Sequence, residues 1–322
     1  MRRFAVTAAL ILSLAAQAAP CSAGQSSGWA RTRDYAMTLR ERGQGEQSYQ
    51  ALANAAVSDA GQLVDREFTA GFIALRVLMR PDLATAHFQN MALATANLRS
   101  DTQSQARSTA GYWLARSLQA QGRGPEARRL YETAALYRNT FYGLLAASQI
   151  GLSDTPTAVA SVANNYPNPN LFWHDPRMNK ELVLAIIKSE SGFNAKARSW
   201  VGAKGAMQVM DGTARRVGRA AGIAIDTRLM ATNFDYNVVV GSRYFADLLT
   251  MFGGNVMLAA AGYNAGEGRP TEWLRRFGDP RTGQIDVVDW IELIPFRETR
   301  DYVKKVVSTY VTYMAMGRQA GR

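Results

Sequence analysis

The chain has 322 residues, of which 47% are hydrophobic and 20% charged. This composition excludes a disordered or collagen-like protein and is sufficient for one large domain or two ordinary ones. The formal net charge of +11 favours an anionic partner, such as nucleic acid, anionic lipid or an acidic polymer. However, the charges are scattered and no run of Lys and Arg is interleaved with aromatic residues. The charge alone is therefore equally compatible with a basic exported protein without a specific anionic partner.

The first 23 residues have the pattern of a secretory signal peptide. Arg2 and Arg3 precede an apolar run at 4–19, which is shorter than the roughly 20 residues that a membrane span needs. We expect cleavage after Ala18 or Ala23, which would lower the net charge from +11 to +9. Export to the periplasm argues against nucleic acid as the partner.

Two alternatives to a cleaved signal peptide stay open at this stage. The segment could be retained as an N-terminal helix, or Cys21 could anchor the chain as a lipoprotein. Pro20 fits a lipoprotein site poorly. Cys21 is the only cysteine, so no intramolecular disulfide can form and an exported chain must depend on its core.

Residues 24–160 are predicted to form an α-helical repeat region. Two segments, 70–92 and 110–135, each read as helix, short turn and helix, with small residues where two helices would touch. This pattern is similar to tetratricopeptide arrays; an ordinary helical bundle is the alternative. The two segments match at an offset of 40 residues, and the offset changes after an insertion. The matching positions are Ala70 with Ala110, Gly71 with Gly111, Arg76 with Arg116, Ala84 with Ala127 and Phe88 with Tyr131.

A linker rich in Pro, Asn, Ser and Thr follows at 151–176, and we place the domain boundary near residue 160. The second domain, 161–322, is again mainly α, with few and short strand signals. Its predicted helices lie at 179–191, 212–221, 235–252, 255–262, 270–277 and 298–317.

Glu190 stands out within the first of these helices. On a helix, residues four apart share a face, so Leu182, Ile186 and Glu190 form one line, and the carboxyl continues an apolar stripe. Loss of hydration raises the pKa of such a carboxyl, which suits a general acid. Gly192 is predicted to end the helix. From this stretch alone, a glutamate that simply reaches water explains the pattern equally well.

The following segment, 190–210, has no apolar periodicity and contains Gly192, Gly202 and Gly205. Glycines allow the backbone to approach a ligand closely. Gln208 adds donors and an acceptor that suit a sugar or an amide. The composition is typical of a segment that lines a groove.

Four motifs in this order and spacing resemble the catalytic domain of soluble lytic murein transglycosylases, in the lysozyme-like superfamily. The resemblance covers about 177–315, and the helical region before it more weakly resembles the family's α-superhelical part, here expected as an arc rather than a closed ring. Ala206, Asp211, Gly262 and Glu267 depart from the usual family residues. Asp211 is predicted to cap the helix that it precedes. The motifs are Glu190-Ser191, the stretch Gly205 to Asp211, the stretch Gly262 to Glu267, and Ile294 to Val303.

The resemblance implies an enzyme that cleaves the bond between N-acetylmuramic acid and N-acetylglucosamine in peptidoglycan, without water, to give a 1,6-anhydro product. Glu190 would act first as acid and then as base. The family positions that would contact or support the sugar match Ser199, Met207, Gln208, Tyr263, Asn264 and Glu292. Peptidoglycan strands are the expected partner, cell-wall or secretion machinery is a further candidate partner, and the periplasm is the expected location.

Two other functions stay open. A hydrolase similar to goose-type lysozyme would need a second acid to position water, for which Asp211, Asp226 or Glu292 could serve. The second of these other functions is an inactive scaffold that acts through its helical repeats. No metal or cofactor is expected, because His87 and His174 are the only histidines and neither has metal-ligand spacing. Arg300 is expected to be structural.

Overall fold

The computed structural model describes residues 28–152 and 174–320. The predicted signal peptide at 1–23 and most of the predicted linker lie outside these ranges. The described parts are built from helices, and their only β pairing consists of two isolated antiparallel bridges, Arg198 with Lys204 and Lys204 with Val209. The mainly α fold class is therefore confirmed. Among the described residues, no helix has both the length and the apolar character needed to span a bilayer.

Seven helices form the N-terminal part, and they stack mainly as consecutive antiparallel neighbours. They are α1 (Gly28–Glu41), α2 (Gly45–Ala53), α3 (Ala60–Arg76), α4 (Pro81–Ala94), α5 (Ser100–Ala120), α6 (Gly124–Ala134) and α7 (Phe141–Gln149).

The two matching segments form the hairpins α3–α4 and α5–α6, as predicted. Gly71 lets α4 approach so closely that a β-carbon at this position would lie 2.7 Å from the Phe88 ring. At the matching place in the second hairpin, a β-carbon on Gly111 would lie 3.1 Å from the Ala134 β-carbon. Trp113 is fully buried between the hairpins, with the rings of Phe72 and Phe88 packed against it. The small residues of the repeat thus mark the helix contacts.

Seven more helices form the C-terminal part. They are α8 (Lys180–Glu190), α9 (Asp211–Ala221), α10 (Phe234–Met251), α11 (Val256–Ala265), α12 (Gly268–Phe277), α13 (Val287–Leu293) and α14 (Arg297–Ala320). The predicted helices are all present within a few residues of their predicted bounds. Only α13, which has seven residues, was not predicted.

Helix α8 runs through the middle of this part. Asn179 begins it by accepting a hydrogen bond from the Leu182 backbone at 2.9 Å. The six residues 182–187 are all buried, so the helix is covered on every side rather than on one stripe. Helix α14 packs along α8, where Leu184 and Ala185 meet Tyr313 and Met316. A buried helix of this kind gives Glu190 a rigid structural support.

The predicted capping role of Asp211 is wrong. Met210 occupies the cap position without a side-chain hydrogen bond, and Asp211 is the first residue of α9. Its carboxylate instead accepts a hydrogen bond from Lys204 Nζ at 2.8 Å. A negative charge in the first turn still interacts favourably with the helix dipole.

The N-terminal and C-terminal parts meet around α13. The repeat-related arginines both reach it: Arg76 bonds Asp289 at 3.0 Å and Arg116 bonds Asp286 at 3.2 Å. Each guanidinium also lies within 6 Å of the centre of the Trp113 ring. The matching arginines of the repeat therefore hold the two parts together.

Candidate active site

Glu190 is the last residue of α8 and is partly exposed. The chain turns away directly after it, because Gly192 and then Phe193 adopt left-handed conformations, with φ of 59° and 72°. Gly192 therefore ends the helix as predicted. The result is a carboxyl that projects from the end of a buried helix at the edge of a loop.

Burial raises the pKa of the Glu190 carboxyl to about 7. Contact with the Tyr302 hydroxyl and the nearby charge of Lys305 oppose this rise, whereas the charge of Glu298 adds to it. All three of these residues lie on α14. Glu190 therefore holds its proton up to neutral pH, which a general acid requires.

The loop 191–211 is held against Glu190 by hydrogen bonds at its base. Ser191, next to Glu190, donates its hydroxyl to the Ala206 carbonyl at 2.8 Å. A β-carbon on Gly205 would lie 2.2 Å from the Met230 carbonyl oxygen, so only glycine fits there. These contacts bring 205–208 next to the end of α8.

Gln208 has an unusual backbone for its residue type, with φ of 48°. Its side-chain amide donates to the Gly205 carbonyl at 2.8 Å and to the Ala197 carbonyl at 3.1 Å. Ser199 lies in the same loop, where its hydroxyl accepts a hydrogen bond from the Ala203 backbone at 2.9 Å. These bonds use neither the carbonyl oxygen of the Gln208 side chain nor the hydroxyl proton of Ser199.

The side chain of Met207 does not lie where its predicted contact with the face of a sugar would need it. Its side chain is fully buried and packs against Gly241 of α10. The backbone of Met207 joins the loop to two helices. Its amide donates a hydrogen bond to Asn237 of α10 at 2.7 Å, and its carbonyl accepts one from the Tyr263 hydroxyl of α11 at 2.8 Å. In this structure Met207 supports the loop from the core.

Tyr263 and Asn264 end α11 beside this loop. Burial, together with the charge of Glu190, holds the pKa of Tyr263 well above its usual range, which places this tyrosine near the candidate acid. The side-chain oxygen of Asn264 accepts a hydrogen bond from Thr299 at 2.7 Å and so connects α11 to α14.

Glu292 lies apart from this cluster. It is buried on α13, where it accepts a hydrogen bond from the Tyr142 hydroxyl of α7 and pairs with Lys304 of α14. It lines a cleft of about 1010 Å³ between the N-terminal helices and α14, and Lys305 lines the same cleft. In this structure Glu292 therefore connects α13 to α7 and to α14.

The other acids proposed for water activation also have cationic partners. Asp211 pairs with Lys204 at 2.8 Å. Asp226 is bonded by the Arg228 side chain, and this contact lowers the pKa of Asp226 to about 2. Within the described ranges, no group of three or more His, Cys, Asp and Glu side chains has the arrangement of a metal site.

Sequence reasoning missed three residues that shape the site: Tyr302, Lys305 and Asn237. Tyr302 lies within the motif 294–303, so that motif was the available signal. Lys305 follows on the same face of α14, and its ammonium donates to the Ser189 carbonyl at 2.9 Å. Asn237 is fully buried on α10 and had no signal, because a polar residue in a helix usually faces water.

Comparison with known proteins shows similarity over the segment that carries this candidate site. Residues 174–285 match the family model described as the Transglycosylase SLT domain. The soluble lytic murein transglycosylase of Salmonella typhimurium is 38% identical over 133 residues, which are 41% of this chain and 20% of that protein. The corresponding protein of Escherichia coli K12 is 38% identical over 127 residues, 39% of this chain and 19% of that protein.

Solved structures of lytic transglycosylases match over most of the chain. An inactive Glu-to-Gln mutant of lytic transglycosylase Slt from Pseudomonas aeruginosa has a TM-score of 0.63 and 26% identity, covering 91% of this chain and 57% of that chain. The 70-kDa soluble lytic transglycosylase from Escherichia coli shares the fold, with a TM-score of 0.55 and 20% identity, covering 88% of this chain and 62% of that chain.

Residues 174–285 therefore carry an SLT domain, in a chain whose fold is similar to that of solved lytic transglycosylases. The predicted resemblance to soluble lytic murein transglycosylases is thereby confirmed, for the segment that carries Glu190, the Gly205 loop and Tyr263. The chain spans about one fifth of the length of the curated relatives that it matches.

Proposed function

We propose that this protein is a lytic transglycosylase. In this proposal it cleaves the β-1,4 bond between N-acetylmuramic acid and N-acetylglucosamine in peptidoglycan and releases a 1,6-anhydro-muramic product. The observation that carries the proposal is Glu190, a carboxyl with a pKa of about 7 at the edge of a loop of the transglycosylase type. The names of the relatives, soluble lytic murein transglycosylases, support the substrate class.

The reaction needs one group that first gives and then takes a proton. Protonated Glu190 transfers its proton to the glycosidic oxygen as the bond from that oxygen to C1 breaks. The resulting carboxylate then removes the proton of the muramic 6-hydroxyl, whose oxygen forms the new bond to C1. The nucleophile belongs to the same sugar, so its effective concentration is high and no water enters the product. A pKa near 7 suits both steps.

The surrounding residues would bind the sugar and hold the loop. The free oxygen of Gln208 and the hydroxyl of Ser199 are proposed to accept and donate hydrogen bonds to the sugar. Tyr263 fixes the loop through its hydrogen bond to the Met207 carbonyl. It also lies close enough to Glu190 for the charge of that residue to raise the pKa of Tyr263. Asn264 is proposed to keep α11 in register with α14.

A hydrolase with the same fold would place a second carboxylate at the water. Asp211, Asp226 and Glu292 are all engaged with cationic side chains, which favours the anhydro reaction. The proposed location is the periplasm, where the predicted signal peptide would direct the chain. The net charge of +9 that remains after cleavage would then attract it to an anionic wall.

Mass spectrometry of purified sacculi digested with the full chain tests the proposal. Wild type should release anhydro-muropeptides, and Glu190→Gln should release none. Glu181→Gln is the matched control, because it makes the same change at the other end of α8 and should keep activity. Products heavier by one water would identify a hydrolase instead. No product from folded wild type and Glu181→Gln would leave a scaffold as the remaining function.

A further inference from the structure

Trp200 is exposed, unlike the other tryptophans of the described chain. It is 74% exposed, and its neighbour Val201 is 50% exposed. The other described tryptophans are at most 4% exposed; they are Trp29, Trp113, Trp273 and Trp290. An indole is a large, mainly apolar group, so leaving it in water forgoes the free energy of its burial. A ligand that covers the ring would recover this free energy, and the surroundings of Trp200 indicate which ligand that is.

A tight turn presents Trp200 at its tip. The Gly202 amide donates to the Ser199 carbonyl at 3.0 Å, which closes the turn around Trp200 and Val201. The Ser199 amide donates to the Ala203 carbonyl at 3.0 Å, and the Ala203 amide donates to the Ser199 hydroxyl at 2.9 Å. Gly202 has a φ of 93°, which other residues rarely adopt. The backbone therefore holds Trp200 at the surface in a defined place.

The same segment is joined to the candidate active site. The Ala197 carbonyl accepts hydrogen bonds from the Gly205 amide at 2.8 Å and from the Gln208 side chain at 3.1 Å. Trp200 follows Ser199 directly, so the α-carbons of these two residues are about 3.8 Å apart. The three residues from Ala197 to Trp200 span at most roughly 10 Å. A glycan strand bound at Gln208 and Ser199 is therefore long enough to reach Trp200.

We propose that Trp200 is an outer sugar-binding residue, on whose indole ring one saccharide unit of the glycan strand stacks. The inference rests on the proposed function and extends it from the cleaved bond to a neighbouring unit of the same strand. The C–H groups on one face of a pyranose ring form an apolar surface that packs against an aromatic face, while the sugar hydroxyls stay in water. This contact suits a polymer, because it does not need any particular hydroxyl.

The charges beside the turn favour this substrate. Lys196 and Arg198 are exposed, and neither forms an ion pair with another described residue. Both charges would attract the carboxylates of the peptides that a peptidoglycan strand carries. An anionic bilayer also attracts tryptophan and cationic side chains. However, the bonds of Ala197 tie this segment to Gln208 in the candidate active site, which favours the glycan strand.

Binding of a soluble glycan measures this contact without turnover. The probe is the β-1,4-linked hexamer of N-acetylglucosamine, titrated by calorimetry into the full chain with Glu190→Gln as the parent. Trp200→Ala, Trp200→Phe and Tyr35→Ala are each added to this parent. Tyr35→Ala is the matched control, because it removes another exposed aromatic ring, which is 60% exposed on α1. Thermal unfolding of each variant checks that the fold is kept.

We expect Trp200→Ala to weaken hexamer binding about tenfold, and Trp200→Phe and Tyr35→Ala to stay close to the parent. Equal affinities of the parent and Trp200→Ala, or a parent that does not bind the hexamer, would overturn the sugar site. A Trp200-dependent affinity for phosphatidylglycerol vesicles without affinity for the hexamer would overturn it in favour of a membrane. Weakened hexamer binding in Trp200→Ala, with a wild type that releases no anhydro-muropeptides, would retain the sugar site and reject the proposed function.

Discussion

Glu190 holds a proton at a pH where most carboxyls have lost theirs, and the stability of the protein must depend on this. Its pKa rises from 4.5 to about 7 on folding. Between these values the native state holds a proton that the unfolded chain has released. Raising the pH through this window therefore lowers the free energy of unfolding, by up to about 3 kcal/mol.

We accordingly predict that Glu190→Gln becomes more stable than wild type as pH rises. The amide cannot ionise, so its variant lacks the penalty for a buried charge. The difference in free energy of unfolding between the two proteins should grow by up to about 3 kcal/mol from pH 4 to pH 8. Chemical denaturation at several pH values measures it, and curves that stay parallel would contradict the raised pKa.

The same carboxyl predicts the pH dependence of the reaction. As the proposed general acid, Glu190 must be protonated when substrate binds, so kcat/KM should fall tenfold per pH unit above a pH of about 7. Initial rates of product release from sacculi, measured from pH 5 to pH 9, check this. An ordinary carboxyl would give a fall that begins near pH 4.5 instead.

At the scale of helices, the repeat depends on close contacts at glycine. Gly71→Ala would put a β-carbon 2.7 Å from the fully buried Phe88 ring, and we expect a loss of about 1–3 kcal/mol in the free energy of unfolding. Gly111→Ala, at 3.1 Å from Ala134, should cost less. Gly124→Ala is the control, because nothing lies within 4 Å of the added atom. Equal effects of the three changes on thermal unfolding would refute this account.

Helices were the part of the structure that the sequence predicted best. The apolar period and the residues that begin and end each helix are local signals, so α8 and the α3–α4 hairpin could be found from the sequence. Helix α13 was missed because seven residues give too short a pattern. Asp211 was placed one residue off, since its carboxylate binds Lys204, a partner that the helix signals do not include.

The residues of the candidate site could be proposed from the sequence more readily than their contacts. Glu190 could be found because a carboxyl interrupts an apolar stripe, and Tyr263 because it lies in a motif. The buried position of Met207 and the pairing of Glu292 with Tyr142 and Lys304 depend on helices far away in the chain. Patterns along the sequence carry no information about such long-range partners.

For the whole molecule, the junction between the two parts depends on buried polar groups. Glu292 is 7% exposed and has partners from two other helices, Tyr142 of α7 and Lys304 of α14. A buried ion that loses one partner is strongly unfavourable, whereas removing both charges is much less so. The junction should therefore respond differently to single and double substitutions.

We predict that Lys304→Met lowers the free energy of unfolding by about 3–5 kcal/mol. Adding Glu292→Gln to it should recover part of this loss, because no charge is then left buried without a partner. A double-mutant cycle measured by chemical denaturation tests the coupling. Losses that simply add would show that Glu292 and Lys304 act independently.

The backbone of Gln208 is strained, and this strain lowers the conformational stability of the loop. A backbone with φ of 48° favours glycine, and a side chain there costs about 1 kcal/mol. Gln208→Gly would relieve this strain, but it would also remove the two hydrogen bonds that the side-chain amide donates to the carbonyls of Ala197 and Gly205. These two effects oppose each other, because each such bond contributes about 1 kcal/mol. A screen for thermostability alone should therefore gain little from Gln208→Gly, whereas activity should fall with the loss of the side-chain oxygen.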